Sequence, residues 1–194
     1  MARTDLYAFI VRLSTLPVVV VFTLLAASLL WSIQVQGLPI IPGFHAVLRI
    51  GLPDMMLTYA PSTIHQKLTL FGPDGRVAYR HFLEWVDSLF PAIYGIFYVT
   101  STTFLFVRLF PNRPALQKLS LLPLLTSLFD WAENVCFLLF LRSYPQELPN
   151  LEKLANAFTL IKWFFAILSS VVLLIAVLAL LFRARRPPST APAA

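Results

Sequence analysis

Residues 119–141 read LSLLPLLTSLFDWAENVCFLLFL. Crossing the roughly 30 Å hydrocarbon core of a bilayer takes about 20 apolar residues, and this stretch is long enough. Its middle nevertheless carries Asp130, Glu133 and Asn134. A charge at membrane depth costs at least about 2.5 kcal/mol, so it turns toward protein, finds a partner and commonly marks function. On a helix, Thr126, Asp130, Glu133, Asn134 and Cys136 or Phe137 fall near one stripe, with Asp130 one turn from both Glu133 and Asn134. The stretch therefore reads as a transmembrane helix with a polar side facing a bundle.

Three more apolar stretches flank it, at about 13–33, 82–110 and 154–182. Hydrophobic residues make up 58% of the chain and charged residues 12%, about half the charge of a soluble domain. The fold expected is all-α: a single integral-membrane four-helix bundle over residues 1–183. An extracytoplasmic lid loop is expected over 35–80 and a disordered cytoplasmic tail over 184–194. The second and fourth spans exceed the required length, which implies tilt or extension beyond the membrane.

Basic residues set the orientation. Arg3 and Arg12 precede the first span, Arg108, Arg113 and Lys118 bracket the turn after the second, and Arg183, Arg185 and Arg186 follow the fourth. In the third loop Arg142 and Lys153 are offset by Glu147 and Glu152. The positive-inside rule then places both termini in the cytoplasm. Within the lid, Thr63 and Gln66 form a possible capping box, Ile64, Leu68 and Phe71 make an apolar stripe, and Gly72-Pro73 ends that helix. Gly75-Arg76 opens a new helix into the second span. Residues 38–56, punctuated by prolines and glycines, read as an irregular lid.

The pattern excludes several classes. The net charge of +6 comes from residues flanking apolar spans, not from a basic face with interleaved aromatics, so no nucleic-acid partner is expected. One cysteine, Cys136, rules out an internal disulfide and dithiol redox chemistry. No serine stands in a nucleophile-elbow motif. His81, Glu84 and Asp87 recur at helical spacing, but no matching histidine motif appears elsewhere, so neither a metal nor a cofactor is expected. The first apolar stretch reads as a retained anchor. The lack of an internal repeat weighs against an inverted-repeat transporter.

Along the second span, Arg80, Glu84, Asp87, Pro91, Tyr94, Tyr98 and Ser101 or Thr102 share one face; along the fourth, Asn156, Thr159, Lys162 and Ser169 or Ser170 do. At 1.5 Å per residue, Asp87 lies roughly 7 Å below the outer edge. Lys162 and Glu133 lie roughly 12 Å below it, and Asp130 and Tyr94 roughly 17 Å. Three acids thus meet one lysine, leaving at least one acid without a cation. Such an acid is a usable proton donor.

The candidate catalytic residues are Glu133, Asp130 and Asp87; the candidate ligand-binding residues are Tyr94, Asn134, Lys162, Tyr98 and Glu84. In the enzyme reading, Glu133 or Asp130 protonates a lipid-like substrate, Asp87 and Lys162 tune it, and Asn134 and Tyr94 orient the ligand. In the alternative, the cavity only binds a membrane lipid or sterol-like ligand. Otherwise the charges fix helix register in a scaffold, with a partner membrane protein or a second copy.

The motifs Gly75-Arg76-x-x-Tyr79, Asp87-x-x-x-Pro91-x-x-Tyr94, Asp130-x-x-Glu133-Asn134 and the later Lys162 resemble those of a group of four-span membrane proteins without assigned activity. The resemblance covers residues 75–162 and implies a shared polar core. More loosely, the chain is similar to the emopamil-binding/sigma-2-receptor-like fold. That similarity implies cytoplasmic termini, an extended first lumenal loop and a lipid-facing cavity lined by acids. The family's catalytic His and Glu have no counterpart at matching spacing, since His81-x-x-Glu84 is spaced differently.

Overall fold

A computed structural model describes residues 6–36, 40–60 and 62–184. Among them every regular element is helical. The α-helices in chain order are α1 (Leu6–Leu13), α2 (Leu16–Trp31), α3 (Phe44–Ile50), α4 (Thr63–His81), α5 (Asp87–Leu109), α6 (Pro114–Lys118), α7 (Pro123–Ser143) and α8 (Pro149–Ala184). Proline stands in the opening turn of α2, α6, α7 and α8, where its missing amide would have had no helical partner. Four helical stretches are long and apolar enough to cross a membrane: Leu16–Gln34, Thr63–Leu109, Pro114–Ser143 and Pro149–Ala184. The chain fits a multi-pass membrane protein. The expected tail lies outside the described residues from position 185 onward.

The bundle is centred on α5, which packs on α2, α7 and α8, while α7 and α8 form the most extensive pair. Helix α2 is apolar all round and buries no side chain; Val20, Val21, Leu24, Leu25 and Leu30 are all exposed. On α8, Phe164, Ile167, Val171, Leu174 and Ile175 are exposed too. Apolar surface of this extent is covered by lipid in a membrane protein, whereas soluble monomers rarely leave such patches open.

The most deeply buried apolar side chains lie where residues 40–60 and 62–81 pack on the bundle. Phe44, Val47, Ile64, Tyr79, Phe82, Leu83 and Phe137 are essentially solvent-free. The Phe44 and Phe82 rings stack 4.8 Å apart, and Phe71 meets Tyr79 edge-on at 5.4 Å. The expected irregular lid thus contains a short helix, α3, and one 3-10 turn, Pro53–Met55.

Helix α4 breaks at Gly72, whose φ of 67° takes it out of the right-handed helix, and resumes at Pro73, as Gly72-Pro73 foretells. Its N-terminus differs from expectation. No Thr63–Gln66 capping box forms; the helix is capped from α8. Glu152 accepts hydrogen bonds from the amides of Ser62 (2.7 Å) and Ile64 (2.9 Å), satisfying donors that the first helical turn leaves free.

Between α4 and α5 the chain widens into a π-helical turn, Phe82–Val86. Beyond it, Pro91 leaves α5 continuous. The Pro91 carbonyl accepts from Ser127 Oγ of α7 at 2.7 Å. Gly95 allows this approach, because a Cβ there would stand 2.4 Å from Ser127 Oγ.

Candidate functional site

Lys162 is the hub of the polar layer. Its ammonium donates to Asp130 Oδ1 (3.1 Å), to Glu133 Oε2 and to the backbone carbonyl of Asp54 (2.9 Å). An ammonium has three donors, so all are committed to protein. Glu133 is fully buried, and its other oxygen accepts from Thr159 Oγ1. The second oxygen of Asp130 accepts from Tyr94 OH at 2.7 Å. Both carboxyls therefore have both oxygens engaged, in the paired and hydrogen-bonded arrangement that buried ions require.

Asp87 is different. It is 4% exposed, and its Oδ2 has no hydrogen-bond partner among the described residues. Asn134 Nδ2 donates to the Asp87 backbone carbonyl at 2.9 Å, and Asn134 Oδ1 is without a hydrogen-bond partner among the described residues. The sequence counted one acid too many and assigned the surplus to Glu133 or Asp130. The structure corrects that assignment: both sit on Lys162, and of these three acids the one outside the pairing is Asp87. The reason is geometric, since Glu133 and Asp130 are one turn apart on α7 and facing α8, and both reach the same ammonium.

A second correction concerns Glu84. It is solvent-exposed and pairs with Arg80 at 2.7 Å, away from the polar layer. The wider turn at Phe82–Val86 shifts the helical phase, so residues before and after it no longer share the face that a regular wheel predicts. Tyr98 does reach the site region, where its hydroxyl and Ser170 Oγ are 2.7 Å apart, joining α5 to α8.

The lid supplies a residue that periodicity did not reveal. Asp54 is buried, accepts from Tyr79 OH at 3.2 Å and enters the same charged layer. Burial pushes its carboxyl above the usual carboxylate range; nearby Lys162 partly opposes this and Asp130 adds to it. Around it, α8 clamps the lid backbone. Trp163 Nε1 donates to Met56 O at 2.9 Å, and Asn156 Oδ1 accepts from the Tyr59 amide at 3.2 Å. Tyr59 OH lies 3.4 Å from Thr159 Oγ1, and burial raises its pKa above the ordinary phenol value. A lone acid after proline in an apolar loop, Pro53-Asp54, is the signal that was available.

Asp54, Asp87, Asp130, Lys162 and Tyr94 form one end of a partly open cavity of about 460 Å³. Its walls are largely apolar: Ala26, Ala27 and Leu30 from α2, Phe90 and Phe97 from α5, Trp163 and Ala166 from α8, with Thr23 and Tyr98 beside them. Thr126 also lines it, with a hydroxyl that has no hydrogen-bond partner among the described residues. Such a cavity is of ligand-binding size.

No protein-family model, curated protein or solved structure matches the chain. Its function is therefore read from the site itself.

Proposed function

We propose that this protein binds a lipid-like amphiphile in the α2–α5–α8 cavity, with the polar head at Asp87 and the apolar body against α2 and α5. One observation carries the reading: a cavity of about 460 Å³ joins largely apolar walls to an acid with one carboxyl oxygen that has no hydrogen-bond partner among the described residues. Lys162 has no donor left for a ligand. The head must therefore hydrogen-bond to Asp87 and Thr126, which favours a hydroxyl-bearing or similarly protic lipid, sterol-like ligands included. In the enzymatic form of this reading, Asp87 exchanges a proton with the bound head. Tyr94 and Asn134 hold Asp130 and the Asp87 backbone in place, and the Lys162 cluster fixes the surrounding charge. We also propose that both termini are cytoplasmic, as the basic flanks favour, which puts the lid outside and the cavity in the outer half of the membrane.

The full pairing of Lys162 with Asp130 and Glu133 favours a structural role for those three residues whether or not the cavity is occupied. The test separates the two roles. The protein is purified in mild detergent, and lipids extracted from it are identified by mass spectrometry. A defined amphiphile retained by the wild type and lost from Ala26→Trp, which fills the cavity, supports binding. Equal recovery of that same amphiphile from both proteins refutes it.

A further inference from the structure

We infer a second lipid site, separate from the cavity: a groove on the outside of the bundle that holds one glycerophospholipid by its anionic phosphate. The groove encloses about 330 Å³ and is lined by Arg80, Glu84, Val135, Leu138, Leu139 and Arg142. On α7, Val135, Leu138, Leu139 and Arg142 follow the i, i+3, i+4, i+7 spacing of one helical stripe. Arg80 and Glu84, one turn apart, face it from the α4–α5 side. The charged residues are thus gathered at one end and the aliphatic residues run away from them.

The charge pattern selects the occupant. Glu84 holds Arg80 through Nε at 2.7 Å, which leaves the η nitrogens without a protein hydrogen bond among the described residues. Arg142, in the last turn of α7, is exposed and has no ion pair or hydrogen bond there. Two guanidiniums against one carboxylate leave one positive charge, which matches one phosphodiester. Guanidiniums present planar forks of donors suited to phosphate oxygens.

Depth agrees with the same occupant. Arg80 and Arg142 lie at the ends of apolar spans, and Val135 lies roughly 10 Å along α7 from Arg142. A phosphate at the interface and an ester-linked chain running inward cover that distance. Val135 and Leu139 are 56% and 42% exposed, so the chain would lie against the protein from the lipid side. Neither the charge match nor the depth requires the inner cavity to be occupied.

The full chain in a neutral maltoside detergent is titrated with a phosphatidylglycerol and followed by native mass spectrometry. A diacylglycerol with the same chains and inorganic phosphate serve as separate arms. One phosphatidylglycerol should bind ahead of further nonspecific additions. Arg142→Gln and Arg80→Gln should each weaken it about tenfold, the loss of one charge-assisted hydrogen bond. Leu138→Trp, which fills the apolar part, should weaken it with both arginines intact. Melting temperatures of the variants should stay near wild type, since these side chains are exposed or partly so. Diacylglycerol binding with equal affinity, displacement by free phosphate alone, unchanged binding in both arginine variants, or a dimer that Leu138→Trp dissociates would each overturn the assignment.

Discussion

Lys162 Nζ donates a 2.9 Å hydrogen bond to the backbone carbonyl of Asp54, joining the middle of α8 to the lid. The same ammonium carries the ion pairs to Asp130 and Glu133. One side chain therefore closes the bundle core and anchors its roof. Neither function can be removed without disturbing the other.

Lys162→Met should be strongly destabilising. It leaves two buried carboxyls without their cation, and breaking a buried pair by removing one partner typically costs about 3–5 kcal/mol. Circular dichroism melts in detergent should show a markedly lower transition, and amide exchange over residues 52–60 should rise with it. A melting temperature equal to wild type would mean that the ion pairs do not hold the helices together.

Asp54 makes lid docking depend on pH. Burial raises its carboxyl pKa in the docked state. A group whose docked pKa exceeds its free value adds stability in full below the free value, and that stability is lost as pH rises through the docked one. Raising pH above the ordinary carboxylate range should thus loosen residues 52–60. Amide exchange, corrected for its intrinsic pH dependence, would measure this. Asp54→Asn, which stays neutral, should flatten the profile; an Asn variant with the wild-type slope would assign the titration elsewhere.

The topology is checked by labelling. Gln66 lies on an exposed face of α4, and Cys136 is buried. A Gln66→Cys variant should react with an impermeant thiol reagent added to intact cells. Reaction only after the cytoplasmic side is opened would invert the orientation.

Much of this arrangement is legible in the sequence because a helix is periodic. The stripes of α7 and α8 come directly from spacing, and they bring Asp130, Glu133 and Lys162 together as read. Glu84 is misplaced because one wider turn at Phe82–Val86 changes the phase, and no composition signal marks such a turn. Asp54 escapes notice for the opposite reason. It lies in a segment whose path is set by long-range contacts with Lys162, Tyr79 and Trp163, where periodicity carries no information. The cap of α4 is similar: Glu152 supplies it from about 90 residues away, so a local motif such as Thr63–Gln66 could not reveal it.

Gly95→Ala tests the α5–α7 contact. The added methyl would stand 2.4 Å from Ser127 Oγ, so Ser127 must move and lose its 2.7 Å bond to the Pro91 carbonyl. Overpacking of this kind costs about 1–3 kcal/mol. Ser127→Ala removes the clashing oxygen and leaves its Cβ at 3.4 Å, so the double variant should recover part of the loss. Equal melting temperatures for the single and double variants would place the strain elsewhere.

The two acids of opposite status give the sharpest comparison. Glu133 has both oxygens bound, to Lys162 and Thr159, so Glu133→Gln breaks an ion pair in a fully buried site. Lys162 keeps its pair with Asp130, so the change should destabilise by about 1–3 kcal/mol, and any loss of function should track loss of folded protein. Asp87 has a carboxyl oxygen that no described residue hydrogen-bonds. Asp87→Asn keeps its shape and breaks no ion pair, so it should lower stability less than Glu133→Gln does. The amide nevertheless cannot exchange the carboxyl's proton or match its charge. Lipid retained by the purified protein, and the lipid profile of cells carrying it, should therefore change in Asp87→Asn at normal protein levels. A stable Asp87→Asn protein with wild-type lipid retention and profile, beside a Glu133→Gln protein that folds normally and loses both, would transfer the functional role back to Glu133.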